Sequence, residues 1–175
     1  GMGVDADCLG LWHFDGSLNS HKGVAAVTAP DPTFDTGCFG SALAPLGEAS
    51  PTWTNVVGCS VGSDNSLTKT ASSEWGNSGA SSTEILSGDG YVSTVVAETN
   101  TYRTIGLGNA NVDASYADIE FGIFLTSGGT IIIFESGTLK WSEGTTYATG
   151  DTLKVAVESG VVKYYKNSTL LYTSV

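Results

Sequence analysis

Hydrophobic and polar residues alternate along the last quarter of the chain, from Gly150 to Ser174. Apolar side chains occupy every second position up to a Ser159-Gly160 pair, and they resume until an Asn167-Ser168 pair. Period-two alternation separated by short Gly or Asn turns is typical of an antiparallel meander with one buried face. The shared parity of the two strands predicts that four side chains point into the core, namely Val155, Val157, Val162 and Tyr164.

The middle of the chain carries shorter segments of the same kind, separated by turn residues at about 8–12-residue spacing. These segments are NVVGCSVGS, SLTKTA, EILSGDGYVSTVVA, YRTIGLG, DIEFGIFL, TIIIFES and TLKWSEG. None of them has the periodicity of an amphipathic helix. Regularly spaced strands with glycine-rich turns predict an all-β fold, which we expect to be a two-sheet antiparallel β-sandwich of the jelly-roll type.

A separate segment, residues 7–45, opens the chain. It begins with CLGLWHFDGSLN, in which the alternation from Leu9 to Phe14 predicts a strand that ends at an Asp15-Gly16 turn. A connector joins this segment to the larger one, residues 52–175. A chain of 175 residues is most simply one domain, so we expect residues 1–175 to fold as a single sandwich.

The composition narrows the choice of partners. The net charge is −11, with one arginine and six lysines. Nucleic acids and anionic membrane surfaces require clustered Lys and Arg, so neither is expected as a partner. The apolar stretch GIFLTSGGTIIIF is interrupted at residues 127–129, which predicts two buried strands and no membrane span. Glycans, protein surfaces, metal ions and a second copy of the chain stay open, although solubility alone explains the acidity.

The three cysteines are Cys8, Cys38 and Cys59. Their odd number leaves at least one thiol without an intrachain partner, and the sequence does not say which two would form a disulfide. No CxxC pair indicates a cysteine-based zinc site. The start of the sequence has no basic region followed by an apolar stretch, so no secretory signal peptide is visible.

Both ends of the chain carry motifs that resemble known families. LWHFDGSLN followed by TGCFGSAL resembles the opening of laminin-G-like domains, which have the concanavalin A-like lectin fold, with Cys38 where a lysine is more usual. The segment GDTLKVAVESGVVKYYKNSTLLYTS is similar to the late strands of SPRY-like domains, with Ser168 in place of the usual glycine. The resemblance implies a concanavalin A-like sandwich, and it bears on fold more than on function.

The resemblance also implies a non-catalytic recognition module, since many relatives bind glycans or protein loops. We therefore expect a carbohydrate-binding domain that is extracellular, on a cell surface or on a virion. One alternative is a structural or assembly protein of a phage tail or fibre that binds no small ligand. A second alternative is a glycan-cleaving enzyme.

Aromatic residues beside polar ones are the candidate ligand-binding groups, because an aromatic ring stacks on a sugar while polar side chains bind its hydroxyls. Trp75 lies in the polar segment SSEWGNSG beside Glu74 and Asn77. Tyr102 and Arg103, the one arginine of the chain, follow a polar turn. The alternative is that such aromatics serve only packing.

Oxygen-bearing side chains alternate at Asn109, Asn111 and Asp113, with Ser115 next in the series and Glu120 eleven residues after the first. This ladder mimics an EF-hand loop, although Asn stands at the first position and Ala114 replaces the turn glycine. It predicts a calcium site at Asn109, Asn111 and Asp113, and no other cofactor. The alternative is a turn whose Asn and Asp side chains bind their own backbone.

The sequence gives little support for catalysis, and no catalytic residue is assigned. The chain has two histidines and no Gly-x-Ser-x-Gly motif. Glycosidases need two carboxyl groups on one face about 5–10 Å apart, and the nearest match in this sequence is Asp118-Ile119-Glu120. Glu135 and Glu158 lie on other predicted strands, and the fold decides whether they meet.

Overall fold

The computed structural model describes the backbone of residues 8–14, 24–27, 51–63, 66–72, 76–109 and 111–175, and the side chains of these ranges from residue 51 onward. The strands are β1 (Cys8–Phe14), β2 (Val24–Val27), β3 (Trp53–Val57), β4 (Cys59–Val61), β5 (Leu67–Lys69), β6 (Gly79–Leu86), β7 (Gly90–Val95), β8 (Arg103–Gly108), β9 (Phe121–Leu125), β10 (Ile131–Glu135), β11 (Thr138–Trp141), β12 (Thr152–Glu158), β13 (Val161–Lys166) and β14 (Thr169–Thr173). A short 3-10 helix covers Tyr116–Asp118.

Two large sheets make up the fold. A seven-stranded sheet has the order β11-β10-β9-β8-β1-β6-β3, and a five-stranded sheet has the order β14-β13-β12-β7-β2. A small two-stranded sheet pairs β4 with β5. Every pairing among the described strands is antiparallel, so the prediction of an all-β, two-sheet antiparallel sandwich is confirmed. The opening segment contributes β1 to one sheet and β2 to the other.

The core lies between the two large sheets, and its described side chains come mainly from alternate residues of β6 to β10, β12 and β13. The four side chains predicted to point inward do so, and each is at most 4% exposed. Ala156 is also buried although it has the opposite parity, since on the outer side it lies between the larger residues Tyr91 of β7 and Lys163 of β13.

Two hairpins of the second half close through two-residue turns with left-handed backbone. Ser136 and Gly137 have φ angles of 45° and 73°, and Ser159 and Gly160 have φ angles of 53° and 73°. Positive φ at both central residues defines a type I′ turn, whose twist matches that of the flanking strands. These turns fix the register of β10 with β11 and of β12 with β13.

The strand β6 begins at Gly79, within a serine-rich stretch that precedes the predicted segment EILSGDGYVSTVVA. Ser81 and Ser82 are each 1% exposed, and Ser81 lies opposite Leu11 of β1 and Thr54 of β3. The Ser81 hydroxyl accepts a hydrogen bond from Asn55 Nδ2 at 3.2 Å. A small side chain that fits between two neighbouring strands and satisfies its hydroxyl locally is easily buried.

Cys59, whose side chain is described, carries a free thiol, and burial raises its pKa. The side chains of the other two cysteines lie outside the described residues.

Candidate functional site

The ligand residues predicted from the sequence fall at several places in the fold. Glu74 and Trp75 lie outside the described residues. Asn77 is partly buried, and its Nδ2 donates to the carbonyl oxygen of Ser72 at 3.1 Å and to the Ser72 hydroxyl at 3.0 Å. Gly76 forms an antiparallel bridge with Ala114. The segment that follows Trp75 therefore lies against the loop that carries the predicted metal ligands.

Tyr102 belongs to an aromatic cluster on the outer face of the seven-stranded sheet. Its ring lies 6.0 Å from that of Phe124, which in turn contacts Tyr116 and Phe134 at 5.6 and 5.5 Å between ring centroids. Tyr116 and Phe134 are 5.2 Å apart. The interplanar angles of the last three pairs are 63–74°, so the rings pack edge to face on one another. Tyr102, at 36% exposure, is the most accessible member.

Arg103 lies in the interior and is 3% exposed. It shares the inward parity of Ile105 on β8, its Nη2 donates to the carbonyl oxygen of Glu98, and its Nη1 lies 3.7 Å from Glu98 Oε1. Nearby, the Tyr147 hydroxyl donates to the carbonyl oxygen of Thr126 at 2.6 Å, and burial raises the Tyr147 pKa. Arg103 thus holds the segment before β8 in place and is not presented at a surface.

The predicted metal ligands lie in a loop, residues 109–120, that crosses the outer face of the seven-stranded sheet. The backbone N–H of Asn109 donates to Glu120 Oε2 at 2.9 Å, and that of Val112 donates to Asp118 Oδ2 at 2.7 Å. Asp113 Oδ1 accepts from the N–H of Ser115 at 2.7 Å. All three carboxylates of this loop bind backbone of the loop itself, which is the turn arrangement weighed as the alternative to calcium.

No group of three or more His, Cys, Asp or Glu side chains in the described part of the chain is arranged to hold a metal ion. The oxygens of Asn109, Asn111 and Asp113 are the ligands that Ca²⁺ prefers, but its usual coordination number is six to eight. The calcium site stays a prediction, with the loop carboxylates already accepting backbone hydrogen bonds.

Ile119 fastens this loop to the sheet. Its side chain is fully buried, yet it lies outside the main core, over Gly106 of β8 and Gly122 of β9. The two glycines face each other across the β8–β9 pair and leave a depression that Ile119 fills. Ile119 and the ring of Tyr116, which packs on Phe124 and Phe134, both attach the loop to the outer face of the sheet.

The carboxylates that a glycosidase would need are separated. Glu135 lies in the interior, where it accepts a hydrogen bond from the Tyr164 hydroxyl at 3.0 Å, and Lys140 Nζ lies 3.6 Å from its other oxygen. Burial and the Glu135 charge raise the Tyr164 pKa. Glu158 projects from the outer face of the five-stranded sheet. That sheet lies between Glu135 and Glu158, so they do not form a catalytic pair.

The outer face of the five-stranded sheet carries a second set of aromatic and charged groups, which we name the tyrosine–lysine face. Its members share outward parity on β7, β12 and β13, and they are Tyr91, Lys154, Glu158, Lys163 and Tyr165. In register, Tyr91 lies opposite Ala156, and Lys154 lies opposite Tyr165. The Tyr91 and Tyr165 side chains thus flank the middle of β12 from its two neighbouring strands.

Polar contacts tie these five residues together. Lys154 Nζ lies 4.3 Å from the centroid of the Tyr165 ring and 5.4 Å from that of the Tyr91 ring. The Tyr165 hydroxyl donates to the Glu158 carboxylate at 2.9 Å, and Lys163 Nζ donates to the same carboxylate at 2.8 Å. The hydrogen bond from Lys163 is the main reason that the Glu158 pKa is lowered, and the same bond raises the Lys163 pKa.

The site residues predicted from the sequence do not include the tyrosine–lysine face, although the sequence carries a signal for it. The outward positions of the C-terminal hairpin include Lys154, Glu158, Lys163 and Tyr165, and a tyrosine at a solvent-facing position is a candidate binding group. Tyr91 could not be added from the sequence, because only the pairing of β7 with β12 brings it beside Lys154.

The chain matches no protein-family model, no curated protein and no solved structure. The concanavalin A-like relationship therefore stays a prediction. Among the described residues, no helix has the length and apolar character needed to span a membrane. Function has to be inferred from the geometry of the two outer faces.

Proposed function

We propose that this protein is a non-catalytic recognition module that binds carbohydrate on the tyrosine–lysine face and is displayed on a cell or virion surface. The observation that carries the proposal is the side-by-side arrangement of Tyr91, Lys154 and Tyr165, with the Tyr165 hydroxyl hydrogen-bonded to Glu158. The motifs that resemble laminin-G-like and SPRY-like domains support the same class of function.

The face has the two kinds of group that sugar recognition uses. Two partly exposed tyrosine rings offer aromatic surface for the apolar side of a pyranose. Around them, the ammonium groups donate hydrogen bonds and the Glu158 carboxylate accepts them, which suits the hydroxyls of a sugar. The aromatic cluster around Tyr102 is a weaker candidate, since its rings pack edge to face against one another.

The position of the carboxylates favours binding over cleavage. Glu158 is engaged by Lys163 and Tyr165, and the interior Glu135 is on the other side of the sheet. A glycosidase of either stereochemistry places two carboxyl groups about 5–10 Å apart on one face. No such pair is formed by these two residues.

A surface site of this size gives weak affinity for one sugar. With two rings and a few hydrogen bonds, the dissociation constant of a single site is expected near the micromolar-to-millimolar range. Several copies on a fibre or cell surface would convert this into useful avidity.

The test is binding of the wild-type protein and three alanine variants to a panel of soluble neutral and acidic polysaccharides. Tyr165→Ala should lose binding, whereas Tyr102→Ala, which removes the exposed ring of the other face, should keep it. Trp75→Ala tests the loop predicted from the sequence. Circular dichroism and thermal melting of each variant control for folding.

Each result decides between the candidate sites. Loss of binding in Tyr102→Ala or Trp75→Ala, with Tyr165→Ala unaffected, would move the site to the loops of the seven-stranded sheet. Wild-type protein that folds but binds no polysaccharide would refute the carbohydrate proposal and favour a structural role in a phage particle.

A further inference from the structure

Lys154 differs from the other surface lysines of the described residues in its partners. Lys140, Lys163 and Lys166 each lie within 4 Å of a carboxylate, at 3.6, 2.8 and 3.1 Å respectively. Lys154 makes no hydrogen bond or ion pair with the described residues, and its ammonium group is held by two tyrosine rings instead. Its three N–H donors therefore have no acceptor among the side chains and backbone groups that the structure describes.

The two rings hold this cation in a defined place. A cation over an aromatic ring within about 6 Å of the centroid is attracted by the ring quadrupole, and both distances to Lys154 Nζ fall inside that limit. A free lysine side chain loses substantial rotamer entropy when it binds a ligand. Because the rings already restrict Lys154, less of that cost is left for the binding step.

Among the described residues, the anion whose charge acts on Lys154 is Glu158, on the same face. The register neighbours of Lys154 on the outer face are Ser93 of β7 and Tyr165 of β13, which are both uncharged at neutral pH. The one carboxylate of the face, Glu158, already accepts from Lys163 and Tyr165. Lys154 is thus a cation that no described carboxylate pairs with directly, on a protein whose net charge is −11.

We propose that the tyrosine–lysine face selects glycans that carry carboxylate groups, with Lys154 Nζ as the group that binds the carboxylate. This inference rests on the carbohydrate-binding function proposed above and names its substrate class. A carboxylate accepts the free N–H donors of Lys154, and the adjoining sugar ring reaches Tyr91 or Tyr165. At physiological ionic strength the Debye length is about 8 Å, so distant acidic residues of the protein oppose this contact only weakly.

The test compares acidic polysaccharides with neutral forms of the same backbone. The probes are polygalacturonate, alginate and hyaluronate, each paired with its methyl ester, which keeps the sugar chain and removes the charge. Binding is measured by calorimetry for the wild type, for Lys154→Gln and for Lys140→Gln. The last variant removes the same charge from the opposite sheet, so it matches the change in net charge.

The wild type should bind at least one acid roughly tenfold or more tightly than its ester, which is the change expected for one hydrogen bond between charged partners. Lys154→Gln should abolish that preference, because it weakens binding of the acidic polysaccharide and leaves binding of the ester unchanged. Lys140→Gln should preserve the preference. Thermal melts show that each variant is folded.

The outcomes separate this inference from the function on which it rests. Equal binding of acid and ester by the wild type, or a preference that survives in Lys154→Gln, overturns the role of Lys154 and leaves carbohydrate binding in place. Binding to neutral glycans alone would likewise overturn the role of Lys154 and leave carbohydrate binding in place. Failure to bind any glycan refutes the proposed function itself.

Discussion

Replacing Gly106 by alanine should separate β8 from β9. Gly106 lies in the middle of β8, opposite Gly122 of β9 and beneath Ile119. An added Cβ would overlap the carbonyl oxygen of Phe121, and it would lie 2.5 Å from Ile119 Cγ2 and 2.9 Å from Gly122 Cα. The φ angle of Gly106 is not positive, so the effect is one of space and not of backbone conformation.

The magnitude follows from which atoms are in the way. Two of the three are backbone atoms of β9, which cannot rotate aside as a flexible side chain would. The strands must move apart, or the loop held by Ile119 must lift from the sheet. Overpacking costs typically about 1–3 kcal/mol, and a backbone clash belongs at the upper end, so we expect a loss of ~3 kcal/mol. For a chain of this size, that corresponds to a Tm lower by roughly 6–12 °C.

The assay is urea unfolding followed by tryptophan fluorescence, together with a thermal melt. The matched control is Gly128→Ala, an identical chemical change at a residue whose φ is also not positive. There the new Cβ would meet only Thr126 Oγ1, at 3.8 Å, and the stability should change by less than about 0.5 kcal/mol. If Gly106→Ala is as stable as Gly128→Ala, the packing of Ile119 over Gly106 and Gly122 is wrong.

Three further predictions address other parts of the fold. Tyr164→Phe removes the hydroxyl that donates to the buried Glu135, so urea unfolding should show a loss of about 1.5–3 kcal/mol, and an unchanged midpoint would contradict the contact. Hydrogen bonds from Asn167 and from the backbone of Ala148 lower the Asp151 pKa; the stability they add is present above the unfolded pKa and is lost as pH falls through the folded one. In Asp151→Asn the free energy of unfolding should therefore fall less steeply as the pH drops below about 4. The same pH dependence as in the wild type would contradict this. Because the carboxylates of the 109–120 loop already accept backbone hydrogen bonds, millimolar Ca²⁺ should leave Tm unchanged, whereas a saturable rise would establish the calcium site predicted from the sequence.

The strands of the second half were predictable because each has one buried face and ends in a short turn. Val155 and Val157 on β12 and Val162 on β13 show this parity, which local sequence records directly. The start of β6 was not predictable in this way, since Ser81 is buried by the two strands that flank it and not by its own hydrophobicity. Burial of a small polar residue depends on neighbours that are distant in sequence.

The candidate site was less accessible to sequence reasoning than the fold. Arg103 was predicted to bind ligand, although its parity with Ile105 and Leu107 in YRTIGLG already indicated an inward position. The contact between Tyr91 and Lys154 depends on the pairing of β7 with β12, and strand order is not encoded in local alternation.

The position of β1 between β8 and β6, inside its sheet, has a consequence for how this protein is made. Leu11 pairs with Ser81 of β6 and with Gly106 of β8, residues that are translated about 70 and 95 positions later. At roughly 5–20 residues per second, β1 waits on the order of 5–20 s for its second partner. During that time its backbone is open to pairing with other chains. β1 is thus synthesised before both of its neighbours, and pairing of β1 with another chain is a misfolding route that this topology leaves open.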